Sequence, residues 1–151
     1  MTPSFKFEAA SEADFEALLA LRIATMRESL EQLGRFDPAR ARERFRSSFR
    51  PDHTRRICVG DAAAGCVATW PEDGAIRLEH FYIDAAHQGR GLGSAVLDAL
   101  VRDPAHAGKP FVVGALRGSD ANRFYARHGF VLSAESEWDL TYLRPPSPDG
   151  R

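Results

Sequence analysis

Cysteine is scarce in this chain, net charge is almost absent, and no apolar run reaches the length a bilayer demands. Two cysteines occur among 151 residues and the formal net charge is -1. A charge so near zero gives no global attraction to nucleic acid or to an anionic membrane, so neither is expected as a partner. The missing long apolar run excludes a membrane-spanning helix. The opening "MTPSFKFEAA" lacks the charged-then-apolar layout of a signal peptide, and a cytoplasmic location is the expectation. In such a reducing compartment Cys58 and Cys66, which flank an expected hairpin turn, read as two small buried hydrophobes rather than a disulfide. The five histidines are scattered without ligand spacing, so no metal is expected. Neither an internal repeat nor a linker interrupts the chain. One domain over residues 1–151 is therefore expected, with 144–151 a proline-rich frayed tail. A hydrophobic share of 44% and a charged share of 27% suit an ordinary soluble protein with a real core.

The chemistry is concentrated in "LEHFYIDAAHQGRGLGSAVLDALV", residues 78–101. Its first six residues are bulky, aromatic or β-branched apart from Glu79 and His80, which predicts a strand. From Leu92 the apolar spacing becomes helical: Leu92, Ala95, Val96, Ala99 and Leu100 form one stripe, and Asp98 and Arg102 pair on another face. Between strand and helix stand Gln88, Gly89, Arg90, Gly91, Leu92 and Gly93. Glycines free the main chain for unusual dihedrals and let a ligand reach the backbone, while the unpaired amides of a helix start attract anions. A pyrophosphate is the natural guest there.

Spacing separates three glycine-loop chemistries. A P-loop ends in Gly-Lys-Ser or Gly-Lys-Thr, and neither tripeptide occurs. A dinucleotide fingerprint requires a third glycine where Ser94 stands and an acid where Lys109 stands. The pattern Gln/Arg-x-x-Gly-x-Gly/Ala is met by Gln88, Gly91 and Gly93. The plainer alternative is that these glycines make only a tight strand-to-helix turn.

In chain order, "SFKFEA" predicts a short strand, and Ser11 with Asp14 resembles a capping box. The helix that follows carries Phe15, Leu18, Leu19, Ile23, Met26 and Leu30 on its core face and ends near Gly34. Asp37-Pro38 opens a second helix, whose Arg40, Arg42, Arg44 and Arg46 form a solvated face or else line a pocket for an anionic substrate. A strand over 54–59, the turn "GDAAAG", a strand "CVATW", the turn "PEDG" and the strand ending at Asp84 make a meander. After the central helix stops at Asp103-Pro104, "PFVVGAL" is an apolar strand. "SDANRFYARHG" is a short helix capped by Ser119 or Asp120 and closed by Gly129, and "FVLSAE" and "WDLTYL" are the last strands.

The loop pattern resembles the acetyl-coenzyme A signature of the GNAT N-acetyltransferase superfamily. The segment "RGSDANRFYARHGF" is similar to that family's second signature through Asn122, Phe124, Tyr125, Gly129 and Phe130. Ala85-Ala86 departs from the family, where a proline commonly follows the strand. The resemblance implies an α/β (α+β) GNAT fold: a mixed, mostly antiparallel sheet of about seven strands, splayed at the cofactor site and flanked by about four helices. It also implies an enzyme that moves an acetyl group from acetyl-coenzyme A to a primary amine by direct transfer in a ternary complex.

On that resemblance the amides from Gln88 through Gly89, Arg90, Gly91, Leu92 and Gly93 to Ser94 hold the pyrophosphate. Phe81 and Ile83 offer main-chain groups to pantetheine, with the Phe81 amide facing the thioester oxygen. Glu79 is the candidate base for the amine, unless it pairs instead with an arginine such as Arg77. His80 is the reserve base, which strict alternation turns away unless a bulge re-aims it. A carboxylate among aromatics is expected to be a stronger base than one in water. Tyr125 matches the tyrosine that faces the coenzyme sulfur and can protonate a leaving thiolate, and Asn122 would bond pantetheine or phosphate unless it makes only a local helix-start contact. The acceptor itself is not specified by these motifs; Met26, Arg27, Phe36, Arg46, Trp70 and Trp138 are its candidate wall. A coenzyme-binding sensor without turnover is the alternative function, and the terminal strands offer an edge through which a homodimer can form.

Overall fold

The computed structural model describes residues 3–146, which form two compact units. The first comprises the chain up to Ala68 together with His80–Leu92; the second comprises Thr69–Glu79 and the chain from Gly93 onward.

In the first unit, β1 (Lys6–Ala9) leads to a short 3-10 turn and α1 (Phe15–Gln32). The Ser11 amide donates to the Asp14 carboxylate at 2.8 Å, as the capping pattern predicts. Phe15, Leu18 and Leu19 are buried, but Ile23, Met26 and Leu30 are only half-buried. Full burial is thus confined to the start of α1, with Leu21 and Ile23 packed against the same core cluster. The Asp37 carboxylate accepts from the amides of Ala39 and Arg40 and starts α2 (Pro38–Ser48). Phe45 of α2 is fully buried and packs with Phe15 and Phe49, ring centroids 5.1–5.8 Å apart. The arginines of α2 are exposed, and two of them bind back onto the start of α1: Arg42 to Glu16 at 2.5 Å, and Arg46 to Glu12.

β2 (Thr54–Val59) and β3 (Ala62–Glu72) pair antiparallel through a turn of two residues, Gly60 and Asp61. The expected turn "GDAAAG" is therefore shorter than its composition suggests, because Ala62 to Gly65 join the ladder with a register shift opposite Ile57 and Cys58. Cys58 faces Ala63 and Cys66 faces Arg56, so the two buried thiols are not cross-strand partners. Asp73 and Gly74, at φ 51° and 81°, turn the chain into β4 (Ala75–Ile83), which passes from the second unit to the first. A Cβ built on Gly65 would stand 2.2 Å from the Tyr82 carbonyl oxygen. Only glycine lets β3 approach the end of β4 so closely.

The second unit holds most of α3 (Leu92–Arg102), then β5 (Phe111–Leu116), α4 (Ala121–Arg127), β6 (Val131–Glu135) and β7 (Asp139–Arg144). Leu92, Val96, Leu97 and Leu100 form the buried face of α3; Ala99, placed there by spacing, is exposed, and Leu97 takes its place. Asp98 and Arg102 pair at 3.2 Å. β4 pairs parallel with β5 over three pairs, from Ile76 with Phe111 to Leu78 with Val113, and β5 then runs antiparallel to β7 along its whole length. The strands form one seven-stranded, mostly antiparallel sheet in the order β1-β2-β3-β4-β5-β7-β6. Arg144, expected in the tail, closes β7; residues 147–151 of the expected tail lie outside the described residues. No helix among the described residues is long and apolar enough to cross a membrane.

Candidate active site

The turn after β4 is built to stay in one shape. The Asp84 carboxylate accepts from the His87 amide at 3.0 Å and contacts its ring at 2.7 Å, which stabilises a 3-10 turn at Ala85–His87. Gln88 Nε2 donates to the Ile83 carbonyl at 2.7 Å. Gln88 thus acts on the shape of the loop, and the Ile83 oxygen already has a partner. Gly89 and Gly91 follow at φ 76° and 81°, values that disfavour any side chain. A Cβ at Gly89 meets nothing within 4 Å, and one at Gly91 meets only Pro3 Cδ at 3.9 Å, so the space over both glycines is open. Because α3 begins at Leu92, the amides of Leu92, Gly93 and Ser94 have no acceptor within the helix. Arg90 is exposed beside them. Open space, outward amides and a nearby cation fit a diphosphate. Ser94 adds a fixed hydroxyl, 3.0 Å from His128 Nε2. Burial, then the charge of Arg127, pushes the His128 imidazole below its usual range.

Glu79 is half-buried and its carboxylate meets Arg77 at 3.2 Å, the pairing weighed against its role as a base. Strict alternation breaks at the next residue. His80 takes φ 48° inside the strand, a left-handed conformation rare outside glycine. Ile76, Leu78 and His80 are buried in phase, but Phe81, Tyr82 and Ile83 are all half-buried. The left-handed residue at His80 therefore interrupts the regular backbone of β4 between Glu79 and Phe81.

His80 itself is 4% exposed and points into the core against the Phe45 ring, centroids 4.9 Å apart. Its Nε2 lies 3.0 Å from Ser48 Oγ and 3.3 Å from the Ser48 carbonyl. Its Nδ1 lies 3.3 Å from both the Tyr82 hydroxyl and Arg22 Nη1. Burial, with the charge of Arg22 adding to it, pushes the His80 imidazole down to about 4, so it is neutral near pH 7 and a poor proton acceptor. Cys66 Sγ donates to the His80 carbonyl at 3.2 Å, and burial pushes this thiol up to about 12. The reserve base is thus a buried structural group.

On α4, Tyr125 is 5% exposed and packs on Phe124, Phe130 and Tyr142. Asn122 makes the local contact: its Nδ2 donates to the carbonyls of Leu116 and Ser119, both at 2.9 Å, and its Oδ1 accepts from the Tyr142 hydroxyl at 2.9 Å. With both N–H groups engaged, its expected donation to pantetheine or phosphate is replaced by a positioning task, tying α4 to β5 and β7. The Asp120 side chain caps no amide and binds Arg123 instead.

Among the acceptor candidates, Arg27 and Phe36 are brought together, the guanidinium 4.5 Å from the ring centroid, with Arg27 also paired to Glu31 at 2.7 Å. Met26, Trp70 and Trp138 are half-buried. Arg46 lies over the Phe15 ring and is bound to Glu12, a structural engagement. Sequence reasoning missed Arg22, Ser48, Tyr82 and Tyr142. One signal existed: Arg22 interrupts the apolar stripe of α1 between Leu19 and Met26.

The fold is shared with known proteins. No curated protein matches the sequence. Among solved structures, the chain is similar to a PaiA N-acetyltransferase from Thermoplasma acidophilum in complex with coenzyme A, with TM-score 0.72, 11% identity, and coverage of 94% of this chain and 99% of that one. It is similar to an acetyltransferase from Thermus thermophilus at TM-score 0.70 and 17% identity, covering 96% and 97% of the two chains. An N-acetylglutamate synthase from Neisseria gonorrhoeae, complexed with coenzyme A and L-arginine, matches at TM-score 0.64 and 14% identity, covering 95% of this chain and 34% of that one. The Acetyltransferase (GNAT) domain family matches residues 53–132, more than half of the sequence and the stretch that carries the glycine loop and α4. The chain therefore belongs to the GNAT acetyltransferase family, acyl-coenzyme A-dependent N-acyltransferases whose cofactor is acetyl-coenzyme A.

Proposed function

We propose that this protein transfers an acetyl group directly from acetyl-coenzyme A to a primary amine, both bound at once. The observation that carries the reading is the open glycine loop at the start of α3, with Gly89 and Gly91 in left-handed conformations and nothing closer than 3.9 Å to a Cβ at either. Acetyl-coenzyme A supplies an acyl group already activated as a thioester. The amides of Gly89 to Ser94, with Arg90, bind its diphosphate, and the loop keeps its shape through Gln88 and Asp84. The Phe81 main-chain N–H is the donor for the developing oxyanion, a role worth on the order of 3 kcal/mol.

A protonated amine cannot attack, so a base is needed at the acceptor nitrogen. His80 is too deeply buried and too weakly basic, which leaves Glu79 as the candidate base, and to act it has to give up its contact with Arg77. Tyr125 donates the proton at its hydroxyl as the thiolate leaves. The β6 edge, where Val131 and Leu132 are 63% and 46% exposed, is the surface on which a homodimer would form.

The test is thiol release from acetyl-coenzyme A over a broad amine panel. Glu79→Gln should lower the rate most at low pH, where free amine is scarce, and least at high pH. A uniform loss across pH would make Glu79 a structural partner of Arg77. Coenzyme binding without release on any amine would favour the sensor.

A further inference from the structure

The side chain of Arg22 is half-buried, its guanidinium lies 6.0 Å from the Phe45 ring centroid, and among the described residues it is hydrogen-bonded through one nitrogen. Its Nη1 donates to the Tyr82 hydroxyl at 2.8 Å and lies 3.3 Å from His80 Nδ1. With Nε2–H of the neutral His80 directed to Ser48, Nδ1 is left as an acceptor. A continuous chain of neutral groups, from Tyr82 through His80 to Ser48, thus fixes one corner of the guanidinium.

What this cation lacks, among the described residues, is an anion. Eight other arginines (Arg27, Arg42, Arg46, Arg56, Arg77, Arg102, Arg117 and Arg123) each have a carboxylate within 4.0 Å. Most of those are more exposed than Arg22 and need a counter-ion less. Among the described residues no carboxylate pairs with Arg22, and its charge is felt instead by His80 and Cys66. Among the described residues only Nη1 is hydrogen-bonded, which leaves Nε and Nη2 without a bond there. Nε and Nη2 together form the side-on fork that a carboxylate bridges with two parallel hydrogen bonds. One fork and a single positive charge match a monoanionic carboxylate better than a phosphate dianion.

We propose that Arg22 is an acceptor-binding residue, and that the amine acetylated by this protein carries a carboxylate, as an amino acid does, which the free side of the guanidinium holds. The inference rests on the acetyl-transfer reading and names the acceptor class for it. The Tyr82–His80–Ser48 chain then serves to position the fork.

The experiment compares three acceptor series in the thiol-release assay: amino acids, the matching amines without the carboxyl group, and aminoalkyl phosphates. Protection against heat by coenzyme A is measured in parallel on the wild type, Arg22→Gln and Arg22→Lys. Expected is a preference of at least 10-fold for amino acids over their decarboxylated counterparts. Arg22→Gln should raise KM for the favoured amino acid on the order of 10- to 100-fold and abolish the preference. Arg22→Lys should restore part of it. Equal use of amines and amino acids by the wild type, a preference for aminoalkyl phosphates, turnover of no amino acid, or an unchanged preference in Arg22→Gln overturns the proposal. Loss of heat protection by coenzyme A in the wild type would instead overturn the coenzyme reading beneath it. Retained protection in Arg22→Gln shows that the variant is folded.

Discussion

Tyr125 carries the heaviest chemical assignment of any single side chain. It is buried among Phe124, Phe130 and Tyr142, so its ring is fixed by packing and its hydroxyl is presented by a rigid element. Tyr125→Phe keeps that packing and removes only the hydroxyl. Its kcat should fall on the order of 10- to 100-fold with little change in coenzyme affinity, as read by steady-state thiol release and calorimetry; full turnover in the variant would end the acid role. Asn122, one turn earlier, is legible as a motif residue but not as a tether, because its partners Leu116 and Tyr142 lie on β5 and β7, away from it in sequence. His80 shows the same limit. Nothing in "LEHFYI" announces a left-handed residue within a strand, since the conformation is held by contacts from Ser48, Arg22 and Cys66 on other elements.

At the scale of elements, local signals are the readable ones. The caps at Ser11 and Asp37, the glycine loop and the order of strands and helices depend on neighbours a few residues away, and all can be read from the chain. The hairpin between β2 and β3 is harder. The small, polar composition of "GDAAAG" suggests a long turn, while the ladder runs to Ala62 because small residues also suit a tightly packed strand pair. Gly65 demonstrates the point: it belongs to β3, and its missing side chain admits the Tyr82 carbonyl. Gly65→Ala puts a carbon where backbone oxygen already lies, and should destabilise the protein by about 1–3 kcal/mol. Urea unfolding measures this directly. A variant as stable as the parent would show that β3 and the end of β4 separate freely.

For the molecule as a whole, His80 sets a pH dependence of stability. Its pKa is about 4 when folded against 6.5 in the unfolded chain. Below pH 6.5 the unfolded chain binds a proton that the folded one refuses, so stability is full above that pH and is lost as pH falls toward 4. The shift corresponds to roughly 3 kcal/mol. His80→Asn, which tolerates the left-handed backbone and does not titrate, should lose this component of the slope while keeping the rest. Denaturant midpoints of the two proteins between about pH 4 and 7 should therefore converge toward low pH; parallel curves would mean that His80 titrates alike in the folded and unfolded chains.

Every catalytic role proposed above depends on the loop between β4 and α3 gripping a diphosphate. The thermal midpoint with and without coenzyme A tests it most directly. At a coenzyme concentration about 100 times Kd the wild type should gain about 2.7 kcal/mol and melt several degrees higher. Gly91→Val, which forces a branched side chain onto φ 81° and into the open space over the loop, should lose that gain. A wild-type midpoint that coenzyme A does not move, or an equal rise in Gly91→Val, would contradict the account.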